Sequence, residues 1–157
     1  MGEQGHIFQI NISGGGVPKT AIQRGEVTAL GLVGDVQRDK RYHGGPTRAL
    51  CLYPLELILQ LQSEGHPIYP GSVGENITTV GLEFSTLRVG DRLSLGAVLI
   101  EVTDYAAPCA TIKGSFKDGK YTRISVKTHP GESRLYARVL QIGSLSIGDE
   151  IGVVGER

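Results

Sequence analysis

The sequence predicts a mainly β domain whose short strands close, or nearly close, into a barrel. Three observations carry this expectation. Glycine fills 23 of 157 positions, scattered between short apolar segments and without the period of a collagen or a low-complexity tract. An apolar-Gly-Asp unit recurs at Val33-Gly34-Asp35, Val89-Gly90-Asp91 and Ile147-Gly148-Asp149. A turn leading into a strand writes that pattern, and three uneven copies do not make a solenoid. Strand-like segments recur along the chain, whereas one segment alone has a clear helical stripe. Closure is expected because exposed strand edges invite pairing with other chains.

The elements follow in order. Residues 7–12 (Ile-Phe-Gln-Ile-Asn-Ile) alternate after Phe8 and predict the first strand. It ends in Ser13-Gly14-Gly15-Gly16-Val17-Pro18-Lys19-Thr20. Residues 25–32 predict a second strand leading to Gly34-Asp35. Residues 49–53 read as a buried strand, with Cys51 packed between leucines. Pro54 opens the one clear helix, over residues 55–64, because proline suits a first helical turn. Leu55, Ile58, Leu59 and Gln62 mark its stripe, and Gly65 caps it. His66, between Gly65 and Pro67, reads as a surface histidine. Residues 71–79 read as a glycine-rich turn with polar side chains at its centre. Residues 87–95 and 97–103 predict a hairpin turning at Gly96, residues 121–127 a short helix, 134–142 a long strand, and 151–154 the closing strand.

Composition narrows the function classes. The chain is of a length for one domain, 1–157, with a core that needs no staples. Its 16 basic and 16 acidic residues balance, so no large field draws in nucleic acid or an anionic membrane. Two cysteines give neither a disulfide framework nor a paired zinc motif, and thiols of this kind are expected in the cytoplasm. The N-terminus lacks the basic and apolar regions of a signal peptide, and no apolar run approaches bilayer-spanning length.

Chemistry is sought first at Cys109. A strand over residues 97–103 runs out, Pro108 cannot donate to a ladder, and small alanines precede the thiol. Loops on rigid scaffolds carry function, yet buried thiols are also common packing residues, and both readings stand. The Gly14-Gly15-Gly16 turn with Lys19 and Thr20 is either an anion cradle of backbone N–H groups plus an ammonium or a flexible turn. It is not a phosphate-binding P-loop, because the spacing is wrong. His43 before Gly44-Gly45 is placed for close ligand approach, within a segment that also holds Arg38, Lys40, Arg41 and Arg48. Asn76 either braces its loop through backbone bonds or holds a ligand. His6, His43, His66 and His129 have no metal-ligand spacing. A Cys-His hydrolase through Cys109 lacks a nucleophile turn. The remaining chemistry is a soft thiolate, whose ordinary pKa of about 8.5 falls near cations. Lys19, Arg41, His43, Lys113 and Arg134 are the cations available if the loops converge. Such a thiolate could carry sulfur as a persulfide or ligate a soft, redox-active metal inside a cofactor.

The ordered set of motifs resembles the MOSC family, named for the C-terminal domain of molybdenum-cofactor sulfurase. The matching residues are Gly15-Gly16-Val17-Pro18-Lys19, Gly34-Asp35 with His43-Gly44-Gly45, Pro70-Gly71 through Gly74-Glu75-Asn76, Val89-Gly90-Asp91-Arg92-Leu93, Pro108-Cys109, and Tyr136-Ala137-Arg138-Val139-Leu140 with Gly148-Asp149. The resemblance implies a stand-alone, bacterial-type MOSC protein, with no pyridoxal-phosphate domain in this chain, and a β-barrel with a few short helices. It implies a pyranopterin molybdenum cofactor with Cys109 as thiolate ligand of molybdenum, and reduction of N-hydroxylated small molecules there. In relatives read as sulfur carriers the same cysteine holds sulfur. It further implies Lys19 at the cofactor phosphate, and Thr20, Arg41 and Lys113 are read beside it as cofactor-binding residues. His43 would do polar or proton-transfer work near the metal, and Glu75 and Asn76 would brace the pocket. An external electron-donor protein or sulfur donor is implied, because no flavin or iron–sulfur motif is present. One departure from relatives is Ser133-Arg134-Leu135, on the far pocket wall.

Overall fold

The computed structural model describes residues 4–36 and 45–155. The elements run β1 (Gln4–Ile12), β2 (Thr20–Ile22), β3 (Arg24–Thr28), β4 (Gly31–Leu32), β5 (Leu50–Pro54), α1 (Leu55–Ser63), β6 (Ile77–Val80), β7 (Arg92–Leu95), β8 (Val98–Ala106), β9 (Arg134–Gln141), β10 (Gly143–Ser146) and β11 (Glu150–Val154). Between β8 and β9 the chain forms a strap of 3-10 turns at Ala110–Ser115, Lys117–Gly119 and Tyr121–Ile124.

The strand order is β11-β7-β8-β9-β5-β6-β1-β2, and β11 also pairs with β1. Seven strands therefore close into the expected barrel, with β2 appended to β1 and β5–β6 the parallel pair. Closure satisfies the edges that an open sheet would leave bare. Inward side chains of the alternating strands fill the interior: Ile7 and Ile10 from β1, Leu93 and Leu95 from β7, Ile100 and Val102 from β8, and Ile151 from β11, all at most 1% exposed. Helix α1 lays Ile58 and Leu61 on this core. A second sheet, β10-β3-β4, stands apart from the barrel ladder.

The predicted hairpin forms, but its first strand begins at Arg92, not at residue 87. The chain before it is spent on the 3-10 turn Phe84–Thr86 and the turn that ends at Asp91, whose N–H donates to the Arg88 carbonyl. Residues 25–32 are not one strand. They fold back on themselves as β3 and β4, with Gly31 at a φ of 114°. A Cβ there would strike the Ala49 carbonyl, so glycine is required. The short helix expected at 121–127 is a single 3-10 turn, Tyr121–Ile124. The glycine-rich turn read over 71–79 ends in a buried strand, β6. His66 is not a surface residue. Its side chain is 10% exposed, its Nδ1 accepts the Lys117 N–H at 3.0 Å, and its ring meets Phe116 edge-on.

Candidate functional site

The three apolar-Gly-Asp units are one turn used three times. Gly34, Gly90 and Gly148 have φ of 90°, 96° and 91°, and each following Asp N–H donates to the carbonyl three residues back. At Asp91 and Asp149 the carboxylate then caps its own turn, accepting the Arg88 and Ser146 N–H groups at 2.9 Å. At Asp35 the carboxylate turns elsewhere. It accepts Lys19 Nζ at 2.7 and 2.8 Å, Asn76 Nδ2 at 2.9 Å and the Ser13 N–H at 3.0 Å. The same backbone module thus serves structure twice and a polar site once.

Lys19 and Asn76 of that site line a cleft of about 920 Å³. Gly15, Gly16, Val17 and Lys19 come from the loop after β1; Val73, Gly74 and Asn76 from the loop before β6; Cys51 from β5; Arg134 and Tyr136 from β9; and Pro108, Cys109 and Ile112 from the strap. Gly71, at a φ of 90°, lets the 71–74 loop press against the Lys19 carbonyl, where a Cβ would collide. The Lys19 N–H donates to the Gly71 carbonyl at 2.9 Å, which fastens the two loops together.

Cys109 enters because the β8–β9 ladder stops at Ala106 opposite Arg134. Ala107 and Pro108 carry the chain off the sheet, and Cys109, still extended (φ −139°, ψ 172°), caps the Ala110–Ser115 turn. The Ile112 N–H closes that turn on the Cys109 carbonyl at 3.2 Å. The residue is partly buried, a free thiol, and borders the cleft. The packing reading of Cys109 requires a sealed interior, and the cleft removes that seal.

Arg134 fixes the geometry around it. The residue is 4% exposed, and its guanidinium donates to the Val73 carbonyl at 2.9 Å and to the Ala107 carbonyl at 3.3 Å. One side chain therefore spans the 71–74 loop and the loop that bears Cys109. It forms no ion pair among the described residues, and its Nε is buried without a partner. A buried cation in that state is costly unless an anion completes it. By contrast, Lys19, 7% exposed, is matched charge for charge by Asp35, and Arg48 lies 3.4 Å from Asp104 and over the Tyr136 ring. Arg134 is thus a buried cation at the cleft without a close ion pair among the described residues, and the buried Glu75 carboxyl feels its charge at longer range.

Behind the cleft, Glu75 is fully buried. Its Oε2 accepts the Gly71 N–H and the Thr78 hydroxyl, each at 3.0 Å, and its Oε1 has no partner. Burial pushes its pKa up to about 7, against the pull of those hydrogen bonds. Asn76 is a keystone. Its Oδ1 accepts the Cys51 N–H at 3.0 Å, and its Nδ2 donates to Asp35 and to the Asn11 carbonyl at 3.3 Å. Burial pushes the Cys51 thiol up to about 11, so at neutral pH it stays protonated although it lines the same cleft as Cys109.

The structure brings together Cys109, Lys19 and Asn76, with Glu75 one layer behind. Thr20 lies in β2, exposed, bonded to the Ile12 carbonyl at 3.4 Å and off the cleft wall. Lys113 is exposed on the strap and is not among the residues lining the cleft. His43 and Arg41 fall outside the described residues, as do Arg38 and Lys40. Sequence reasoning assigned no site role to Asp35 or Cys51 and counted Arg134 only among available cations. The signal for Arg134 was a charged residue heading the run Leu135, Tyr136, Ala137, all of which are buried.

Comparison with known proteins gives a consistent result. A family model described as the MOSC domain matches residues 39–152. Protein YiiM of Escherichia coli (strain K12) is 38% identical over 94 residues, which are 57% of this chain and 42% of that protein. The uncharacterized protein YflK of Bacillus subtilis (strain 168) is 31% identical over 116 residues, 73% of this chain and 52% of that protein. The chain spans about half the length of these curated relatives. The crystal structure of YiiM from Geobacillus stearothermophilus superposes with a TM-score of 0.74 at 25% identity, covering 96% of this chain and 75% of that one.

Proposed function

The chain belongs to the MOSC family, and from that premise we propose that its cleft binds a molybdenum cofactor for the reduction of N-hydroxylated small molecules. The observation that carries the reading is the meeting of a soft donor and a buried cation without a close ion pair among the described residues: Cys109 and Arg134 border one cleft. A pyranopterin cofactor presents a thiophilic metal and an anionic phosphate, so the residues present fit it. Cys109 would hold the metal through its sulfur. Arg134 would answer the anionic end, and the glycine turn at Gly15 and Gly16 leaves backbone room beside Lys19. When bound, the cofactor would supply the redox centre at which the N–O oxygen is removed with two electrons and two protons.

The rest is done by the protein's own groups. Arg134 ties the Cys109 loop to the 71–74 loop, which fixes where the sulfur points. The Lys19–Asp35–Asn76 cluster stiffens the floor. Burial raises the Tyr136 pKa, so its phenol keeps its proton at the cleft wall. The electrons would come from a separate carrier protein, and the free thiols at Cys51 and Cys109 suit a reducing cytoplasm.

A second reading has a specific observation behind it: a partly exposed free thiol bordering a cleft can carry sulfur as a persulfide. The test is turnover. Holo-protein from a cofactor-competent host, supplied with a chemical reductant and a hydroxylamine-type substrate, should reduce it, and Cys109→Ser should not. A persulfide on Cys109 with no reductase activity would instead support the carrier.

A further inference from the structure

We infer that the strap after Cys109 is a docking surface for a small acidic electron-carrier protein, an inference that rests on the reductase reading. The chain has six lysines, and four of them, Lys113, Lys117, Lys120 and Lys127, fall within 15 residues of sequence. All four are exposed, and none forms an ion pair among the described residues. Asp118 is the single acid between residues 110 and 131. The cation that could be cancelled is cancelled already: Arg123 is gripped by Glu64 and Glu132 at 2.9 and 3.0 Å. In a chain of zero formal net charge this segment is strongly cationic, as is the sequence from Arg38 to Arg48.

The segment is rigidly presented. Ile112, Phe116 and Ile124 are buried beneath it, the Lys117 N–H is held by His66, and the side chain of Lys113 lies beside Gly119. Its first residues, Ala110 to Ile112, are also cleft wall. A partner seated on the lysines thus contacts the same strap whose first turn borders the cleft.

The chemistry of the surface selects the partner. No large apolar side chain is exposed between residues 110 and 131, so nothing there would insert into a bilayer. Phe116 is buried and Tyr121 packs on the core, so no aromatic platform is offered to single-stranded nucleic acid. What is left is a wet, cationic, non-greasy face. That face suits a brief, electrostatically steered encounter with an acidic protein, as electron-transfer complexes make.

The test reads binding without turnover. The full chain, labelled with nitrogen-15, is titrated at low salt with an acidic [2Fe–2S] ferredoxin and with an acidic flavodoxin, both oxidised. We expect at least one to shift amide signals along residues 110–127, binding to weaken steeply with salt, and Lys117→Glu/Lys120→Glu/Lys127→Glu to weaken it about tenfold or more. Arg24→Glu, on the three-stranded sheet, should leave it unchanged. Binding of neither carrier, shifts centred elsewhere, or preferential binding to phosphatidylserine vesicles or to single-stranded DNA would each overturn the docking surface. Turnover with a chemical reductant is independent of this surface, so failure to dock and failure of the reductase reading are read separately.

Discussion

Arg134 is expensive to bury and is held by two carbonyls at the cleft wall. Its planar fork spans two loops, which a lysine's point charge cannot do. Arg134→Lys should therefore keep the charge and lose the tether. We expect a stability loss of about 1–3 kcal/mol and faster alkylation of Cys109 by iodoacetamide, because the 107–109 loop slackens. Glu75 gives a prediction with a sign. Its folded pKa, about 7, lies above its ordinary value of 4.5, so the native state binds more protons than the unfolded chain between those values. Its contribution is then fully present below pH 4.5 and is lost as pH rises through 7, by on the order of 3 kcal/mol. Glu64, whose pKa is lowered to about 2 by Arg123, titrates below that window. Urea unfolding at pH 5 and pH 8 should show the loss in the wild type and a flatter profile in Glu75→Gln.

Elements meet at Asn76, which links β5, β1 and the Asp35 turn through three hydrogen bonds. Asn76→Ala orphans the buried Cys51 N–H, so we expect a cost of about 2–4 kcal/mol, measurable as a fall in the urea midpoint with an unchanged slope. This scale also divides what the sequence disclosed from what it hid. The helix announced itself through Pro54 and its stripe, and the Gly96 hairpin through its turn, because both are local. Strand β6 was hidden. Thr78 and Thr79 are completely buried, so a strand paired on both sides looked like a polar turn. The short β2 and β10 lack an apolar pattern of their own; β2 exists by pairing back on the end of β1, and β10 by pairing with β3 far away in sequence. Cys109 and Lys19 were legible as members of motifs. The Lys19–Asp35 match was not, since it depends on a turn whose carboxylate points away from its own backbone.

For the whole molecule, β11 is the staple. It pairs with β7 on one side and β1 on the other, and without it both become open edges. Removing residues 150–157 should abolish cooperative unfolding and amide exchange protection in β1 and β7. If protection in those strands survives, the barrel does not depend on closure. The functional account rests on one coordination, that of metal by Cys109 in the Arg134 cleft. The most direct measurement is molybdenum per chain after purification from a cofactor-competent host, for the wild type, Cys109→Ser and Cys51→Ser. The account predicts stoichiometric molybdenum in the wild type and in Cys51→Ser, and its loss in a folded Cys109→Ser. Molybdenum retained without the Cys109 sulfur, or absent from the wild type, would contradict it.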